Sequence, residues 1–300
     1  MISISNLTKS YGNFIALNGI SVEIPTGSTH AFLGENGAGK TTTLKILTGL
    51  TKPSSGEVKI FDMDISSNRI DIAKRMGVLI ETPGFIPNLT GKQILTQLSR
   101  LQGQFTKDYI DELLHTVGLQ DAGPKKVKDY STGMRQRLGL AQALIGEPEL
   151  LLLDEPFSGL DISGTLEIKK LLTNLNKKDG VTIFLSSHRL REIDKLCSDV
   201  VLIRNGMVVT SGKVQDLIQG NTTQRAEVSD LSKAEDALRK YNLHFTNSDG
   251  NWLNIEPNGY SRNQIAELFH DEGVIVYYLT VNDEMTLEDF YLLNTQEVVA

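Results

Sequence analysis

The segment "GENGAGKTT", residues 34–42, matches the pattern G-x-x-x-x-G-K-[ST] of a phosphate-binding loop. The apolar "THAFL" (29–33) before it predicts a buried strand, and "KTTTLKILTGL" (40–50) after it has the leucine spacing of a helix. Glycines let backbone N–H groups curl around a phosphate, and the helix N-terminus adds a favourable dipole. The alternative is a chance glycine-rich turn, which would not require a buried strand before it and a helix after it. The sequence therefore predicts an α/β domain with a nucleotide site. The residues predicted to bind the nucleotide in this loop are Gly34, Asn36, Gly37, Ala38, Gly39, Lys40, Thr41 and Thr42.

A pair of acids supplies the second half of the predicted site. The run "LLLLDEP" (150–156) places Asp154 at the carboxyl end of an apolar strand, where it can hold Mg²⁺ together with the Thr41 hydroxyl. Lys40 is expected to reach the terminal phosphates, and Glu155 to polarise an attacking water as general base. Paired acids after a strand are often only a solvated turn, but a phosphate loop in the same sheet favours the catalytic interpretation.

Composition restricts the class of protein. The 300 residues are 40% hydrophobic and 22% charged, as in an ordinary globular protein, and the net charge of -7 argues against general nucleic-acid binding. The one cysteine, Cys197, cannot form an intramolecular disulfide, which fits a reducing compartment. The N-terminus lacks the regions of a signal peptide, and no run approaches the roughly 18 apolar residues of a membrane helix. We expect a cytosolic chain whose membrane role, if it has one, comes through a partner.

Charge divides the chain near residue 220. Residues 1–220 carry 25 Lys and Arg against 23 Asp and Glu, whereas residues 221–300 carry 5 against 14. The first part is predicted to be α/β, with buried parallel strands and a helical insertion at about 86–148. The second part alternates in the order β-α-β-β-α-β, which predicts a small α+β domain of ferredoxin-like type.

The segment "YSTGMRQRLGLAQAL" (130–144) decides the class, because "STGMRQR" resembles the signature loop of the ATP-binding-cassette (ABC) family. In that family the loop leads into a helix some twenty residues before the paired acids, as it does here. Over residues 1–220 the resemblance implies the P-loop fold of an ABC ATPase with its helical subdomain. It also implies Tyr11 as the aromatic that stacks on adenine, Asp161 in "SGLD" as part of the D-loop, and His188 in "SSH" as the switch histidine that stabilises the γ-phosphate.

The family pattern further implies a mechanism and partners. Two copies of such a chain meet head to tail, and ATP lies between the phosphate loop of one copy and the signature loop of the other. Ser131 and Gly133 would therefore contact the γ-phosphate of ATP held by the second copy. Tyr130, Thr132 and Met134 depart from the usual Leu, Gly and Gln, so we expect this closure to be weakened, although not lost. The resemblance also implies separate transmembrane permease subunits that bring the chain to the inner face of the membrane.

Glu81, in "MGVLIETPGF" (76–85), occupies the place of the glutamine in the family's Q-loop. That residue attends Mg²⁺ and the attacking water, and a carboxylate oxygen is an equally good ligand for the ion. The alternative is a solvated strand end. Glutamate here resembles the branch that confers bacitracin resistance or lantibiotic immunity, and the ending "MTLEDFYLL" resembles ATPases of drug exporters. The resemblance thus implies an ATP-hydrolysing exporter subunit, with ATP and Mg²⁺ as cofactors.

Other classes fit the sequence less well. A soluble ABC ATPase of translation usually carries two cassettes, and a DNA-repair ATPase needs a long heptad insertion that is not found here. "NKKD" (176–179) spells a guanine-specificity motif, but it precedes its strand and the acidic pair lacks the D-x-x-G of GTPases. No histidines pair at metal-ligand spacing, and His30 lies in a predicted core strand.

Overall fold

The computed structural model describes residues 1–300 apart from 82, 104–105, 123–124, 194, 220–223, 249 and 282–300. Contacts divide the chain into two compact units, Met1–Ser211 and Gly212–Ala300. The division predicted near residue 220 falls in a stretch outside the described residues, and it stays a prediction. The ending "MTLEDFYLL" lies outside them as well.

Ten strands form the two sheets that include the predicted phosphate loop and acidic pair. They are β1 (Ile2–Tyr11), β2 (Phe14–Ile24), β3 (Thr29–Leu33), β4 (Ser55–Ile60), β5 (Met63–Asp64), β6 (Met76–Leu79), β7 (Leu150–Asp154), β8 (Thr182–Ser187), β9 (Asp199–Arg204) and β10 (Met207–Lys213). The helices over the same stretch are α1 (Lys40–Leu47), α2 (Arg69–Lys74), α3 (Gly91–Leu101), α4 (Lys107–Thr116), α5 (Thr132–Ala143), α6 (Ile162–Asp179) and α7 (Leu190–Ile193).

The larger sheet positions the site. Its strand order is β10-β9-β3-β8-β7-β6, and β3 pairs in parallel with β8 and β9, as β7 does with β6 and β8. Every residue of β3, β7 and β8 is buried, as expected of apolar strands covered on both faces. Because the strands are parallel, their carboxyl ends lie at one edge, where Leu33 is in register with Ser187 and Asp154 with Ser186.

The second sheet is antiparallel, in the order β2-β1-β4-β5. Alternate residues of β1 and β4 face a common core that also contains side chains of α1 and of the larger sheet. Phe32 of β3 and Phe184 of β8 meet in this core with ring centroids 5.3 Å apart. Since α1 shares the core with both sheets, the phosphate loop before it is anchored at both ends.

The helical insertion predicted at about 86–148 is present as α3, α4 and α5, between β6 and β7. Thr90 caps α3 in a capping box with Gln93, and Ser131 caps α5 by accepting a hydrogen bond from the Met134 N–H. Helix α5 lies directly on β6, because a Cβ at Gly77 would stand 2.0 Å from the Ala143 carbonyl oxygen. The last turn of α5 is therefore in backbone contact with the sheet.

After the end of β10, the described residues of the second unit form α8 (Val214–Gln219) and a four-stranded sheet with two further helices. In chain order these are β11 (Gln224–Val228), α9 (Leu231–Lys240), β12 (Phe245–Asn247), β13 (Trp252–Ile255), α10 (Arg262–Asp271) and β14 (Val276–Val281). The sheet order is β12-β13-β11-β14, and each strand pairs with its neighbours in the antiparallel sense. Leu238, Ile265 and Phe269 of the two helices pack with Leu253 and Ile255 in one core. The predicted ferredoxin-like order is confirmed.

Two details concern the remaining sequence predictions. None of the helices formed by the described residues is long and apolar enough to cross a bilayer. Cys197 is buried and follows α7, which ends at Ile193. Burial raises the pKa of its thiol well above the usual range, as is typical of a packing residue.

Candidate nucleotide site

The phosphate loop between β3 and α1 has the backbone that its glycines predict. Gly37 and Gly39 have φ values of 85° and 112°, which residues with a Cβ rarely adopt. A Cβ at Gly39 would stand 2.8 Å from the Ala16 carbonyl oxygen, so the close approach to β2 also requires glycine. No side chain caps α1, and the N–H groups of its first turn, from Lys40 to Thr42, have no partner within the helix. The loop therefore offers a ring of donors to an anion.

Lys40 is 6% exposed, and its ammonium group is held at the loop. Its Nζ donates to the carbonyl oxygens of Gly34 at 2.6 Å and Glu35 at 3.2 Å, and it lies 3.6 Å from Oε1 of Glu155. The loop thus places one buried cation between the phosphate-binding N–H groups and the predicted general base.

Thr41 and Asp154 meet across the sheet edge, as the sequence predicts. The Thr41 hydroxyl donates to Oδ2 of Asp154 at 2.8 Å, and the Ser186 hydroxyl donates to Oδ1 of the same carboxylate at 2.5 Å. Hydroxyl and carboxylate oxygens are hard ligands, and Mg²⁺ in proteins typically uses one or two of them together with phosphate oxygens and waters. The residues therefore fit a magnesium ion bound with a nucleotide.

Glu155, directly after β7, has a left-handed backbone with φ 48°. Its N–H donates to the Ser186 hydroxyl at 3.0 Å, and its carbonyl accepts from the side-chain amide of Gln136 at 3.2 Å. Its Oε2 lies 2.9 Å from Nδ1 of His188. The structure therefore brings Glu155 and His188 together beside Lys40, which agrees with their predicted roles in one site.

Glu81 also has a left-handed backbone, with φ 59°, just after β6. Its Oε1 accepts a hydrogen bond of 2.6 Å from Nζ of Lys45, which lies one helical turn after Thr41 on α1. This hydrogen bond is the largest cause that raises the pKa of Lys45 above its ordinary value. Glu81 is thus directed toward the helix that begins at the phosphate loop, and it is not a free strand end.

The remaining predicted residues lie on other elements: Tyr11 is near enough to Lys45 to raise the pKa of that ammonium group. Tyr11 is 48% exposed at the end of β1, with Nζ of Lys9 4.8 Å from its ring centroid. Ser131 caps α5, and Asp161 caps α6 by accepting a hydrogen bond of 2.8 Å from the Gly164 N–H. Among the described residues, no hydrogen bond joins Ser131 or Asp161 to Lys40.

The signature segment packs on the D-loop segment of the same chain. A Cβ built on Gly133 would lie 3.3 Å from the carbonyl oxygen of Gly159, and one built on Gly159 would lie 2.5 Å from Cγ2 of Thr132. The Thr132 methyl therefore lies against the backbone of Gly159, which has φ 74°. Of the other departures from the family pattern, Tyr130 is buried and Met134 supplies the N–H that Ser131 accepts.

Sequence reasoning missed three residues of the site. Ser186 joins Asp154 to the N–H of Glu155, Lys45 pairs with Glu81, and Gln136 bonds the Glu155 carbonyl. A buried serine inside the apolar run 181–188 and a glutamine in the apolar face of a helix are signals that could have identified two of them. The Lys45 pairing has no local signal, because its partner lies 36 residues away.

Comparisons with known proteins agree with this geometry. The family model described as "ABC transporter" matches residues 17–158. The bacitracin transport ATP-binding protein BcrA of Bacillus licheniformis is 36% identical over 97% of this chain and 96% of its own length. The lantibiotic transport ATP-binding protein SrtF of Streptococcus pyogenes is 40% identical over 70% of this chain and 89% of its own.

Solved structures give the same result for the fold. An ATP-binding cassette solved as a dimer in a post-hydrolysis state with ADP and Pi superposes with a TM-score of 0.67 at 26% identity, covering 71% of this chain and 98% of that one. An ATP-binding subunit of an ABC transporter has a TM-score of 0.66 at 24% identity, over 91% and 99% of the two chains, and it supports the fold alone. Because BcrA and SrtF are 36% and 40% identical to this chain over most of its length, the chain belongs to the ABC transporter family, as one of its ATP-binding ATPases.

Proposed function

We propose that this chain is the ATP-hydrolysing subunit of an exporter that removes a drug or antimicrobial peptide through separate membrane permease subunits. The observation that carries the proposal is the single cluster of Lys40, Thr41, Asp154, Glu155 and His188 at the carboxyl edge of one sheet. Likeness to BcrA over nearly the whole chain supports transport over a soluble role in translation or DNA repair.

The residues have distinct roles in this proposal. The N–H groups of the loop and Lys40 hold the phosphates of ATP, while Thr41 and Asp154 hold Mg²⁺, which neutralises charge that develops on the phosphates. Glu155 takes the proton of the attacking water, and His188, 2.9 Å from it, stabilises the γ-phosphate. Most of the acceleration then comes from positioning and charge neutralisation.

Glu81 is proposed to approach the same Mg²⁺. Its position after β6 and its pairing with Lys45 on α1 support a place near the phosphate loop. Replacing it with glutamine should retain much of the ATPase activity while altering its coupling to transport. Unchanged drug protection in cells that carry Glu81→Gln would argue against that role.

A second copy of the chain completes the site in this proposal. Ser131 and Gly133, at the N-terminus of α5, would contact the γ-phosphate of ATP in the other copy, where a helix N-terminus is a favourable anion partner. Residues 1–220 form the nucleotide-binding domain, with Tyr11 against the adenine and Asp161 in the D-loop. Residues 221–300 form an accessory domain.

The test is Glu155→Gln, which leaves every phosphate contact in place. We expect this variant to bind ATP with Mg²⁺, to turn over at least about a hundred-fold more slowly, and to accumulate as an ATP-bound dimer. Size-exclusion chromatography with light scattering, with and without ATP, measures the dimer. Wild-type turnover would refute Glu155 as the base, and failure to copurify with a multi-spanning membrane protein would refute the exporter role.

A further inference from the structure

Gln136 is a buried polar side chain at the junction of α5 and β7. It is 6% exposed, and its Nε2 donates to the backbone carbonyl of Glu155 at 3.2 Å. A buried amide is unfavourable unless it is hydrogen-bonded, so this contact is costly to break. Gln136 follows Ser131 by five residues, and the bond therefore joins the signature helix to the residue proposed as general base.

The backbone of Glu155 needs such support. Its φ of 48° lies in the left-handed region, which residues other than glycine keep only where their surroundings hold them. The two sides of the residue are held separately: the Ser186 hydroxyl accepts its N–H, and its carbonyl accepts both from the Gln136 amide and, at 3.0 Å, from the N–H of Ser158. Rotation of this backbone would carry the carboxylate away from Nδ1 of His188, now 2.9 Å from Oε2.

The face of α5 that carries Gln136 is itself fixed on the sheet. At Gly139, three residues on, a Cβ would stand 2.5 Å from Cγ of Pro83 and 2.8 Å from Cδ1 of Leu79. At Gly77 of β6, a Cβ would reach the Ala143 carbonyl. Because the helix has so little freedom to shift, the amide of Gln136 is presented to Glu155 at a defined position.

We propose that Gln136 is a positioning residue for Glu155, which its amide holds in the left-handed conformation that aims the carboxylate at the reacting water. The proposal rests on the proposed role of Glu155 as general base. Gln136 acts through the Glu155 backbone, to which its amide is hydrogen-bonded. Removing its amide should therefore slow the chemical step without weakening ATP binding.

The experiment compares Gln136→Met, which keeps the length of the side chain but not the donor, with Gln142→Met. Gln142 is an exposed residue of the same helix and serves as the matched control. We expect Gln136→Met to lower kcat about ten-fold with KM for ATP unchanged, as for the loss of one hydrogen bond in the transition state. In the nucleotide-free full chain, hydrogen exchange of a peptide covering 154–160 should become several-fold faster. Gln142→Met should change neither quantity.

The same substitution in a Glu155→Gln background separates the two proposals. If Glu155 is the base and Gln136 positions it, Gln136→Met should change the residual single-turnover rate of that background less than about two-fold. An equal ten-fold loss in both backgrounds, a raised KM, or an unchanged kcat would overturn the role of Gln136. Wild-type turnover of Glu155→Gln alone would instead overturn the proposed function.

Discussion

Replacing Lys45 with methionine is expected to tighten the binding of a divalent cation to the nucleotide-loaded chain. Nζ of Lys45 lies 2.6 Å from Oε1 of Glu81, so the ammonium group forms an ion pair with the carboxylate that we propose to approach Mg²⁺. The ammonium group and the ion would therefore compete for this carboxylate. Lys45→Met removes the competing cation and leaves the stem of the side chain, which preserves the packing of α1.

The size of the effect follows from the exposure of the pair. The two side chains are 34% and 61% exposed, and ion pairs with that access to water contribute about 0.2–1 kcal/mol. Since about 1.4 kcal/mol corresponds to a factor of ten, opening the pair weakens cation binding by about 1.5- to 5-fold. Lys45→Met should therefore lower the Kd by this factor, and about 1 M salt should reduce the difference by screening the exposed pair.

The assay is a titration of the chain and a nonhydrolysable ATP analogue with Mn²⁺, followed by electron paramagnetic resonance. It is run on four proteins, the wild type, Lys45→Met, Glu81→Gln and the double variant, which form a double-mutant cycle. Lys59→Met, at an exposed position of β4, controls for the loss of one positive charge. Competition between Lys45 and the cation would be refuted if Lys45→Met left the Kd unchanged, or if it tightened binding equally in the Glu81→Gln background.

Three further outcomes follow from the structure. Burial lowers the pKa of His30 below 6.5, so the folded chain binds this proton less well than the unfolded chain. The free energy of unfolding, measured with urea, should therefore fall as the pH drops below about 6.5, and this group contributes at most about 1.4 kcal/mol per pH unit. The fall should be smaller in a His30→Gln variant. Gly77→Ala should destabilise the fold by about 1–3 kcal/mol in the same assay, because its Cβ would stand 2.0 Å from a carbonyl oxygen of α5. Thr132→Gly, made in a Glu155→Gln background, should strengthen the ATP-bound dimer several-fold in sedimentation experiments, because it removes the methyl group from Gly159.

Each of these has its own control or contrary result. His115→Gln, at an exposed position, is the control for the removal of one imidazole group. A Cβ at Gly84 would meet nothing within 4 Å, so Gly84→Ala should be close to neutral. A dimer unchanged or weakened by Thr132→Gly would mean that the departure from the family's glycine does not limit closure.

The parts of the fold that the sequence predicted are those fixed by local pattern. The strand 29–33, the loop after it and the acidic pair after β7 follow from runs of apolar residues and from glycine spacing, and the parallel sheet then forces their ends together. The six elements from β11 to β14 were likewise predicted in order, because the strands and helices differ in period and the two helices begin at the caps Asp230 and Ser261.

The rest depends on contacts between distant residues. Lys45 and Glu81 are 36 positions apart, and Gln136 and Glu155 are 19 apart, so neither pair appears in any local window. From the sequence, Ser186 is only one more residue of a buried strand. The structure shows that its hydroxyl donates to Asp154 and accepts from the Glu155 N–H.

The left-handed backbones of Glu81 and Glu155 imply a conflict between the thermal stability of the fold and its ATPase activity. A residue with a Cβ is roughly 1 kcal/mol less stable than glycine in that conformation, so a screen for heat resistance alone should favour glycine or asparagine at both sites. Variants selected in this way would unfold at a higher temperature but would lack the two carboxylates. Natural sequences that retain glutamate at these two positions would keep the carboxylates of the site, and with them a less stable fold.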